Sequence, residues 1–226
     1  MPVALASRPL AITGVRRSAA ASTVRVARTP ADLLAAARLR ASAARGGHPA
    51  GLARIVEVNL DEYDAQALHL LAVDEEEPVG TMRLLRAQTG RQLPVQRVFD
   101  LPDPGSARIA ELSRPAVRRP DDQALLVALL RAAYDEALAG GIDEVYLVAD
   151  QGLLTVLRAL GFRFRPLSGP VWAYGAWNIA AVLTVDDVVP GLRMHQAVHG
   201  CQIADYFTAP FDGAAPADTV CLRSAS

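Results

Sequence analysis

The chain has 226 residues, of which 51% are hydrophobic, and a formal net charge of −1. This length and composition predict a folded globular protein with a substantial core and exclude an intrinsically disordered chain. The charge does not indicate a nucleic-acid-binding protein. No apolar run reaches the roughly 18 residues that a membrane-spanning helix requires.

The basic and sulfur-containing residues favour a bacterial cytoplasmic protein. All 23 basic residues are arginine, so no lysine is present to act as a base or to form a Schiff base. Two cysteines, Cys201 and Cys221, do not make a disulfide framework, which fits a reducing cytoplasm. Residues 1–31 contain five arginines and no acid, a pattern similar to an organelle transit peptide. We prefer a flexible bacterial arm over residues 1–22.

The first half of the chain alternates between short strands and one helix. "TVRVAR" (23–28) alternates as a strand does, and a helix follows with Thr29 as its cap and Pro30 in its first position. Residues 67–87 predict two strands joined by the acidic turn "DEEE", a β-hairpin. Residues 88–105 are rich in proline and glycine, and we expect irregular structure there.

The second half predicts further strands separated by helices. A strand over 107–119 precedes the clearest helix, which Asp121 or Asp122 can cap and Gly140-Gly141 ends. Further elements follow: a strand at 143–150, a helix at 151–162, a strand at 162–167 and one or two strands within 169–188. The order predicts an α/β (α+β) domain over 23–190, a mixed sheet with helices on both faces. Residues 191–226 would form an extension packed on this domain.

The strand "ARIAELSRPAVRR" (107–119) carries polar groups among apolar ones. Alternation places Glu111 and Ser113 on one face and Arg114 on the other. For Glu111 and Arg114 to meet, the strand must bulge or splay, and Pro115 cannot donate to a sheet ladder. We therefore predict an irregularity near Ser113–Pro115. A polar edge or a structural buried ion pair are the alternatives.

Four segments, in order, resemble the acyl-homoserine-lactone synthases and the related long-chain N-acyl amino acid synthases. "ELSRPAV" is similar to their "E-x-SR-x-x-V" strand, and "DEYD" (61–64) to their pair of spaced acids. "PVGTMRLL" (78–85) and "LLTVLRALGFRFRPLSGPVWAYG" (153–175) resemble two further strands and a helix of these enzymes. The resemblance covers about residues 28–190 and implies the GNAT acyltransferase fold.

The resemblance implies attack of an amine on a fatty acyl thioester. Glu111 would accept the amine proton, directly or through a water, because burial raises a carboxyl pKa toward a useful range. Backbone N–H groups of a bulge at Ser113 would face the oxyanion. Arg83 and Arg114 would bind an acceptor carboxylate or orient the acids Asp61, Asp64 and Glu111. The catalytic set is thus Glu111, Arg114 and Ser113, and the substrate-binding set Arg83, Asp61, Asp64 and Arg40.

Two departures from the resemblance bear on the substrates. Lactone-forming members follow an N-terminal arginine with aromatic residues around S-adenosylmethionine; Arg40, or else Arg38, matches the arginine, but residues 41–56 contain no aromatic residue. This favours an amino acid or peptide acceptor. The phosphate-binding turn of coenzyme A-using relatives is replaced by "RRPDDQA" (118–124), whose acids repel a pyrophosphate. We therefore favour an acyl carrier protein docked at Arg118 and Arg119, which otherwise form a solvated turn.

The remaining candidates concern the acyl chain and metals. We expect the acyl-chain pocket to be lined by Val148, Leu153, Leu157 and Trp172, although core packing explains the same residues. His195 and His199 lie one helical turn apart near Cys201, but no further ligand has suitable spacing, and we expect no metal site. No permanently bound cofactor is expected; the donor is a carrier-protein phosphopantetheine or coenzyme A thioester.

These features predict an N-acyltransferase that moves a medium- or long-chain acyl group to an amino acid or peptide amine. One alternative is an acyl-homoserine-lactone synthase that uses S-adenosylmethionine. Another is a GNAT module that binds an acyl or peptide ligand without catalysis.

Overall fold

A computed structural model of the chain describes residues 22–44, 60–103, 108–119 and 122–216. The predicted arm, apart from Ser22, lies outside these residues, as do Cys221 and the predicted end of the first helix. Thr29 caps that helix as expected, because its hydroxyl accepts from Asp32 N while the Asp32 carboxylate accepts from Thr29 N.

A mixed sheet forms the centre of the fold, as predicted. Its strands are β1 Thr23–Val26, β2 Leu68–Asp74, β3 Glu77–Arg86, β4 Ile109–Val117, β5 Glu144–Asp150, β6 Arg165–Pro166, β7 Val171–Ala173 and β8 Ala176–Thr184. They follow the order β1-β2-β3-β4-β5-β8-β6, with β7 also paired to β8, and of the described strand pairs only β4 and β5 are parallel. The strand predicted over 162–167 is therefore shorter than expected.

Helices cover both faces of the sheet, which confirms the predicted layers. They are α1 Pro30–Ala44, α2 Pro94–Phe99, α3 Gln123–Ala139, α4 Gln151–Ala159, α5 Val188–His199 and α6 Ile203–Thr208. The main core lies between the sheet and α3–α6, and includes Leu129, Leu157 and Phe207. A second core lies on the opposite face, where Val95 and Phe99 of α2 contact Leu85 and Tyr146.

The expectation of irregular structure over 88–105 is wrong at α2. Pro94 occupies a first-turn position of this helix, and the Gln96 side chain accepts from Leu93 N at 2.7 Å. The helix ends at Asp100, whose φ of +49° is left-handed. Its six residues are too few for periodicity to distinguish them from a loop.

Arg131 of α3 ties the C-terminal helices to the domain. Its guanidinium donates to the backbone carbonyl oxygens of Tyr206 and Ala209 and to the Asp135 carboxylate. It also lies over the Phe211 ring, 5.0 Å from the centroid. The sequence beyond residue 190, which has no clear periodicity, therefore forms most of helix α5 and all of helix α6.

The predicted irregularity in β4 is present as a bulge followed by a splay. Thr81 pairs with Ala116 and Arg83 with Ser113, so two residues, Arg114 and Pro115, lie opposite a single residue of β3. Arg114 has a left-handed φ of +54°. Strand β4 pairs with β5 from Ile109 to Leu112, and the two strands separate beyond Leu112. Strand β4 thus opens toward its C-terminal end.

Candidate active site

Glu111 is buried in the middle of β4. Its register partners are Leu85 and Tyr146, so its side chain faces the second core and α2. It is 2% exposed, and its Oε2 accepts from Val95 N at 2.7 Å. Burial raises the pKa of Glu111 against the opposing effects of this hydrogen bond and of the Arg83 charge. The carboxyl therefore keeps its proton at higher pH than an exposed glutamate.

Ser113 lies beside both Glu111 and Arg83. Arg83 Nε donates to Ser113 Oγ at 3.1 Å, which leaves the hydroxyl proton to be donated elsewhere. Ser113 lies two residues after Glu111 in β4, on the same face, and it favours the ionised form of the Glu111 carboxyl against the larger effect of burial on the pKa. Arg83 itself is 1% exposed. A guanidinium, a hydroxyl and a buried carboxyl thus lie next to one another.

Asp61 joins Arg83 to Arg114. Arg83 Nη1 donates to both Asp61 oxygens at 2.8 and 2.9 Å, and Arg114 Nη2 donates to Oδ2 at 2.8 Å. Desolvation opposes ionisation of Asp61, but hydrogen bonds and charge from Arg83, with smaller contributions from Tyr63 N–H and Arg114, outweigh it and lower the Asp61 pKa to about 2. The bulge therefore places the Arg114 guanidinium at Asp61, which also binds Arg83. Regular alternation along β4 would have directed Arg114 to the other face of the sheet.

Asp64 and Arg40 complete the acid–arginine cluster, defined here as Arg40, Asp61, Asp64, Arg83 and Arg114. Asp64 Oδ1 accepts from Arg40 Nη1 at 3.1 Å and from Arg83 Nη1 at 3.3 Å. Its Oδ2 accepts from Asp61 N at 2.7 Å. The residues predicted to be catalytic or substrate-binding thus lie in this cluster, apart from Glu111 and Ser113, which lie next to it in β4.

His69 is a member of the site that the sequence reasoning missed. Arg40 Nη2 lies 2.7 Å from its Nδ1, and Nε2 lies 3.1 Å from Asp64 O. Because a guanidinium only donates, Nδ1 accepts and the proton sits on Nε2, so the ring is neutral. Desolvation is the largest cause that lowers the His69 pKa. The sequence feature that could have indicated this role is a histidine within an otherwise apolar strand. In the structure His69 is paired in register with Arg83 of β3.

The predicted acyl-chain residues do not form one wall. Leu157 is buried in the main core with Leu153 packed against it, whereas Val148 packs on the second core. Trp172 is 61% exposed and contacts Trp177. Val148 faces the second core, whereas helix α4, which carries both leucines, packs on the main-core face of the sheet, so the four residues do not line one pocket.

An apolar cavity of about 30 Å³ lies instead on the α3 side of the sheet. Its lining includes Leu112, Leu130, Tyr134, Phe162 and Phe164. Leu112 follows Glu111 in β4, so this cavity is on the face opposite the Glu111 carboxyl.

Arg118 and Arg119 border an open groove rich in acids. Arg118 donates to Glu77 Oε2 at 2.6 Å and to Pro78 O at 2.8 Å. Both arginines are exposed. The groove, about 340 Å³ in volume, is also lined by four acids: Asp74, Glu75, Glu77 and Asp122. Its charge disfavours a pyrophosphate.

His195 and His199 lie close together on α5. Their ring centroids are 4.3 Å apart, yet across the described ranges no three His, Cys, Asp or Glu side chains are arranged to hold a metal ion. Within those ranges, too, no helix combines the length and apolar character needed to cross a bilayer.

Comparisons with known proteins identify the fold. A family model described as an acetyltransferase (GNAT) domain matches residues 42–131. The structure of BjaI, a CoA-dependent acyl-homoserine lactone synthase with SAM and isopentyl-CoA, has a TM-score of 0.56 and 22% identity over 79% of this chain and 90% of that one. No curated protein sequence matches the chain.

Two further structures agree. FeeM, an N-acyl amino acid synthase from uncultured soil microbes, has a TM-score of 0.59 and 18% identity over 78% of this chain and 97% of its own. The AHL synthase LasI has a TM-score of 0.61 and 17% identity over 74% and 91%. The expected GNAT-like fold is confirmed. Over residues 42–131 the chain is similar to the acetyltransferase (GNAT) domain, and it has the fold that BjaI and LasI share with FeeM.

Proposed function

We propose that the chain is an N-acyltransferase that moves a medium- or long-chain fatty acyl group from a thioester to the amine of an amino acid, an amino-acid-like molecule or a peptide. The observation that carries this proposal is the buried Glu111 carboxyl. It is 2% exposed and its pKa is raised, it lies beside Ser113, which accepts from Arg83 Nε, and it is next to the last residue of β4 that pairs with β5. An amine attacks only after losing a proton, and a carboxyl with a raised pKa is suited to accept it.

The partly exposed end of the acid–arginine cluster would bind the acceptor. The side chains of Arg114 and Asp61 are 28% and 27% exposed, whereas that of Arg83 is 2% exposed. A carboxylate on the acceptor would bind the Arg114 guanidinium, a strong charge-assisted contact. Arg83, Asp61, Asp64 and Arg40 would hold Arg114 in place.

The reaction balances with these groups and solvent. The acceptor ammonium would give one proton to Glu111, its nitrogen would form a bond to the thioester carbon, and the C–S bond would then break. The Glu111 proton would pass to the departing thiolate, and the second proton of the former ammonium would leave the nitrogen for solvent as the amide forms. Backbone N–H groups near the Arg114 bulge would stabilise the oxyanion in between.

The donor is proposed to be an acyl carrier protein, with acyl-coenzyme A as the alternative. The four acids of the groove beside Arg118 would repel the pyrophosphate of coenzyme A more strongly than the single phosphate of a phosphopantetheine. Arg118 and Arg119 lie exposed at its rim for an acidic carrier protein. Both donors occur in the cytoplasm, where we place the protein.

A second candidate is an acyl-homoserine-lactone synthase that uses S-adenosylmethionine. Arg40, the arginine expected from the resemblance, does contact Asp64. Residues 41–56, where the resemblance would place the enclosing aromatic residues, contain none, and residues 45–56 lie outside the described residues. Release of a lactone from S-adenosylmethionine would favour this candidate over the first.

Mass spectrometry of reaction products tests the proposal. Purified protein is incubated with medium- and long-chain acyl-carrier-protein and acyl-coenzyme A thioesters, together with a panel of amino acids, their amides and S-adenosylmethionine. We expect an N-acyl product from an amino acid. Glu111→Gln, which keeps an oxygen for Val95 N–H, should fold and lower the rate by about 10²-fold or more.

Glu136→Gln, on α3 outside the site, is the matched control and should leave the rate unchanged. Full activity of Glu111→Gln would remove Glu111 from the mechanism. Thioester binding without any product, across all acceptors, would contradict the proposed reaction and favour a ligand-binding module.

A further inference from the structure

His69 belongs to a row of polar side chains that crosses three strands of the sheet. His69 of β2 is paired in register with Arg83 of β3, and Arg83 is paired with Ser113 of β4. Residues directly opposite one another in paired strands share a face of the sheet, so these three side chains lie on the same face as Glu111. His69, which is 2% exposed, forms the end of the row that lies farthest from Glu111.

Both ring nitrogens of His69 are hydrogen-bonded within the acid–arginine cluster. Arg40 Nη2 of α1 lies 2.7 Å from Nδ1, and Nε2 lies 3.1 Å from Asp64 O. A guanidinium can only donate, so Nδ1 is the acceptor and Nε2 carries the proton that Asp64 O accepts. The ring therefore links two elements, helix α1 and the turn formed by residues 61–64, to strand β2.

The two contacts of His69 lead to the carboxylate that holds Arg114. Arg40 Nη1 donates to Asp64 Oδ1 at 3.1 Å, and Asp64 Oδ2 accepts from Asp61 N at 2.7 Å. Asp61 Oδ2 in turn accepts from Arg114 Nη2 at 2.8 Å. A change at His69 would therefore reach the partly exposed cation of the cluster through one side chain, Arg40, and one turn.

A second proton on the His69 ring would break this arrangement. It would lie on Nδ1, which faces the Arg40 guanidinium, so that two cations would replace a hydrogen bond. Burial lowers the pKa of His69, and the charges of Arg40 and Arg83 act in the same direction, while the carbonyl and carboxylate of Asp64 oppose them. On the neighbouring strand β1, Arg25 is paired with a carboxylate of α1. The surroundings therefore favour the neutral ring.

We propose that His69 is a positioning residue for acceptor binding: its neutral ring fixes Arg40 and the 61–64 turn, and through Asp61 it fixes the Arg114 guanidinium that would bind the acceptor carboxylate. This inference rests on the proposed function and deepens it, because it makes acceptor binding at the same site depend on pH. His69 does not touch the acceptor, so its effect falls on binding and leaves proton transfer at Glu111 unchanged.

Kinetics with an active L-amino acid and with its amide, which lacks the carboxylate, test this role. His69→Phe keeps a planar ring but removes both hydrogen bonds. It should raise KM for the amino acid by about 10-fold and leave kcat and the KM for the amide nearly unchanged. His69→Asn places Oδ1 where Nδ1 lies, so that Arg40 keeps an acceptor, and it should recover most of this loss at pH 7.

The pH profile separates positioning from packing. In the wild-type protein, KM for the amino acid should rise as the pH falls, with a midpoint below the ordinary histidine pKa of about 6.5, because protonation of His69 displaces Arg40. His69→Asn has no titratable ring and should lack this rise. A rise of the same size and midpoint in His69→Asn would overturn the inference, and this comparison remains decisive if His69→Phe does not fold.

NMR tests the protonation state of the ring without any turnover. The chain has four histidines, so few imidazole signals need to be separated in protein with isotope-labelled histidine. The ring that is missing from the spectrum of His69→Asn should be neutral at pH 7 in the wild-type protein, with its proton on Nε2. A cationic ring or a proton on Nδ1 would overturn the inference.

Leu70→Val is the matched control for loss of packing in the same strand. Leu70 follows His69 in β2 but packs in the main core on the other face, so the substitution does not touch the cluster and should keep the wild-type KM values.

Three kinetic results would overturn the inference while leaving the acyltransferase proposal intact. These are an unchanged amino acid KM in His69→Phe, equal KM values in His69→Phe and His69→Asn, and equal increases for the amino acid and its amide. Absence of turnover in the wild-type protein with every substrate would instead count against the proposed function.

Discussion

Replacing Asp61 by Asn tests the acid–arginine cluster most directly. Asparagine has the same shape and can still accept from Tyr63 N–H through Oδ1, but it removes the charge that Arg83 and Arg114 share. The native environment lowers the Asp61 pKa from 3.8 to about 2. At 1.36 kcal/mol per pKa unit, the ionised carboxylate stabilises the folded protein by about 2 kcal/mol near neutral pH.

The lowered pKa of Asp61 determines how the loss of stability in Asp61→Asn should vary with pH. A carboxyl whose pKa is lower in the folded than in the unfolded state contributes its full stability above about pH 4 and loses it as the pH falls toward 2. Asp61→Asn should therefore lower the free energy of unfolding by about 2 kcal/mol at pH 7 but only by about 1 kcal/mol at pH 3. Urea unfolding followed by circular dichroism, with an unchanged slope, measures both values.

A neighbouring exposed acid provides the control. Glu62 pairs with Arg91 and Arg97 on the surface, and its side chain is 60% exposed. Glu62→Gln should not shift the unfolding midpoint measurably, because exposed ion pairs contribute little. Equal losses in Asp61→Asn at both pH values, or a loss no larger than that of Glu62→Gln, would refute the assignment of the stability to the shared carboxylate.

Three further predictions follow from other parts of the structure. Leu129→Ala, at a fully buried position of α3, should lower the free energy of unfolding by roughly 2–5 kcal/mol, whereas Leu138→Ala on the exposed face should have little effect; equal losses would contradict the packing described. Arg131→Gln removes the donor to Tyr206 O and should speed proteolysis of the C-terminal segment before global unfolding; an unchanged cleavage rate would contradict this role. The acylation rate should rise with pH through a midpoint above 4.5, since burial raises the Glu111 pKa, and the same limb in Glu111→Gln would assign it to another group.

The sequence correctly predicted features of the fold that follow from local backbone and capping preferences. Pro115, which has no N–H for a ladder, marked the bulge, and the polar residues around it marked the site. Asp122 caps α3 through Leu125 N as a local motif predicts. Such features depend on residues close in the chain, so a single sequence specifies them.

Features set by distant residues could not be predicted. Helix α2 begins where Val95 N donates to Glu111, sixteen residues further along the chain. The acyl-chain prediction failed because residues next to one another in sequence, such as Val148 and its neighbours, alternate between two cores. The turn between β7 and β8 is held by Asn178, whose Nδ2 donates to Ala173 O and Ala176 O, and these side-chain hydrogen bonds have no signature in sequence.

The proposed reaction would change the net charge of the site as it proceeds. Three guanidinium groups of the site, on Arg40, Arg83 and Arg114, lie near three carboxyl groups, on Asp61, Asp64 and Glu111. Their formal charges cancel while Glu111 is ionised. Once Glu111 took the substrate's proton in the proposed reaction, these six groups would carry one net positive charge while negative charge develops on the thioester oxygen. A single proton transfer would then both release the nucleophile and create the field that favours its attack.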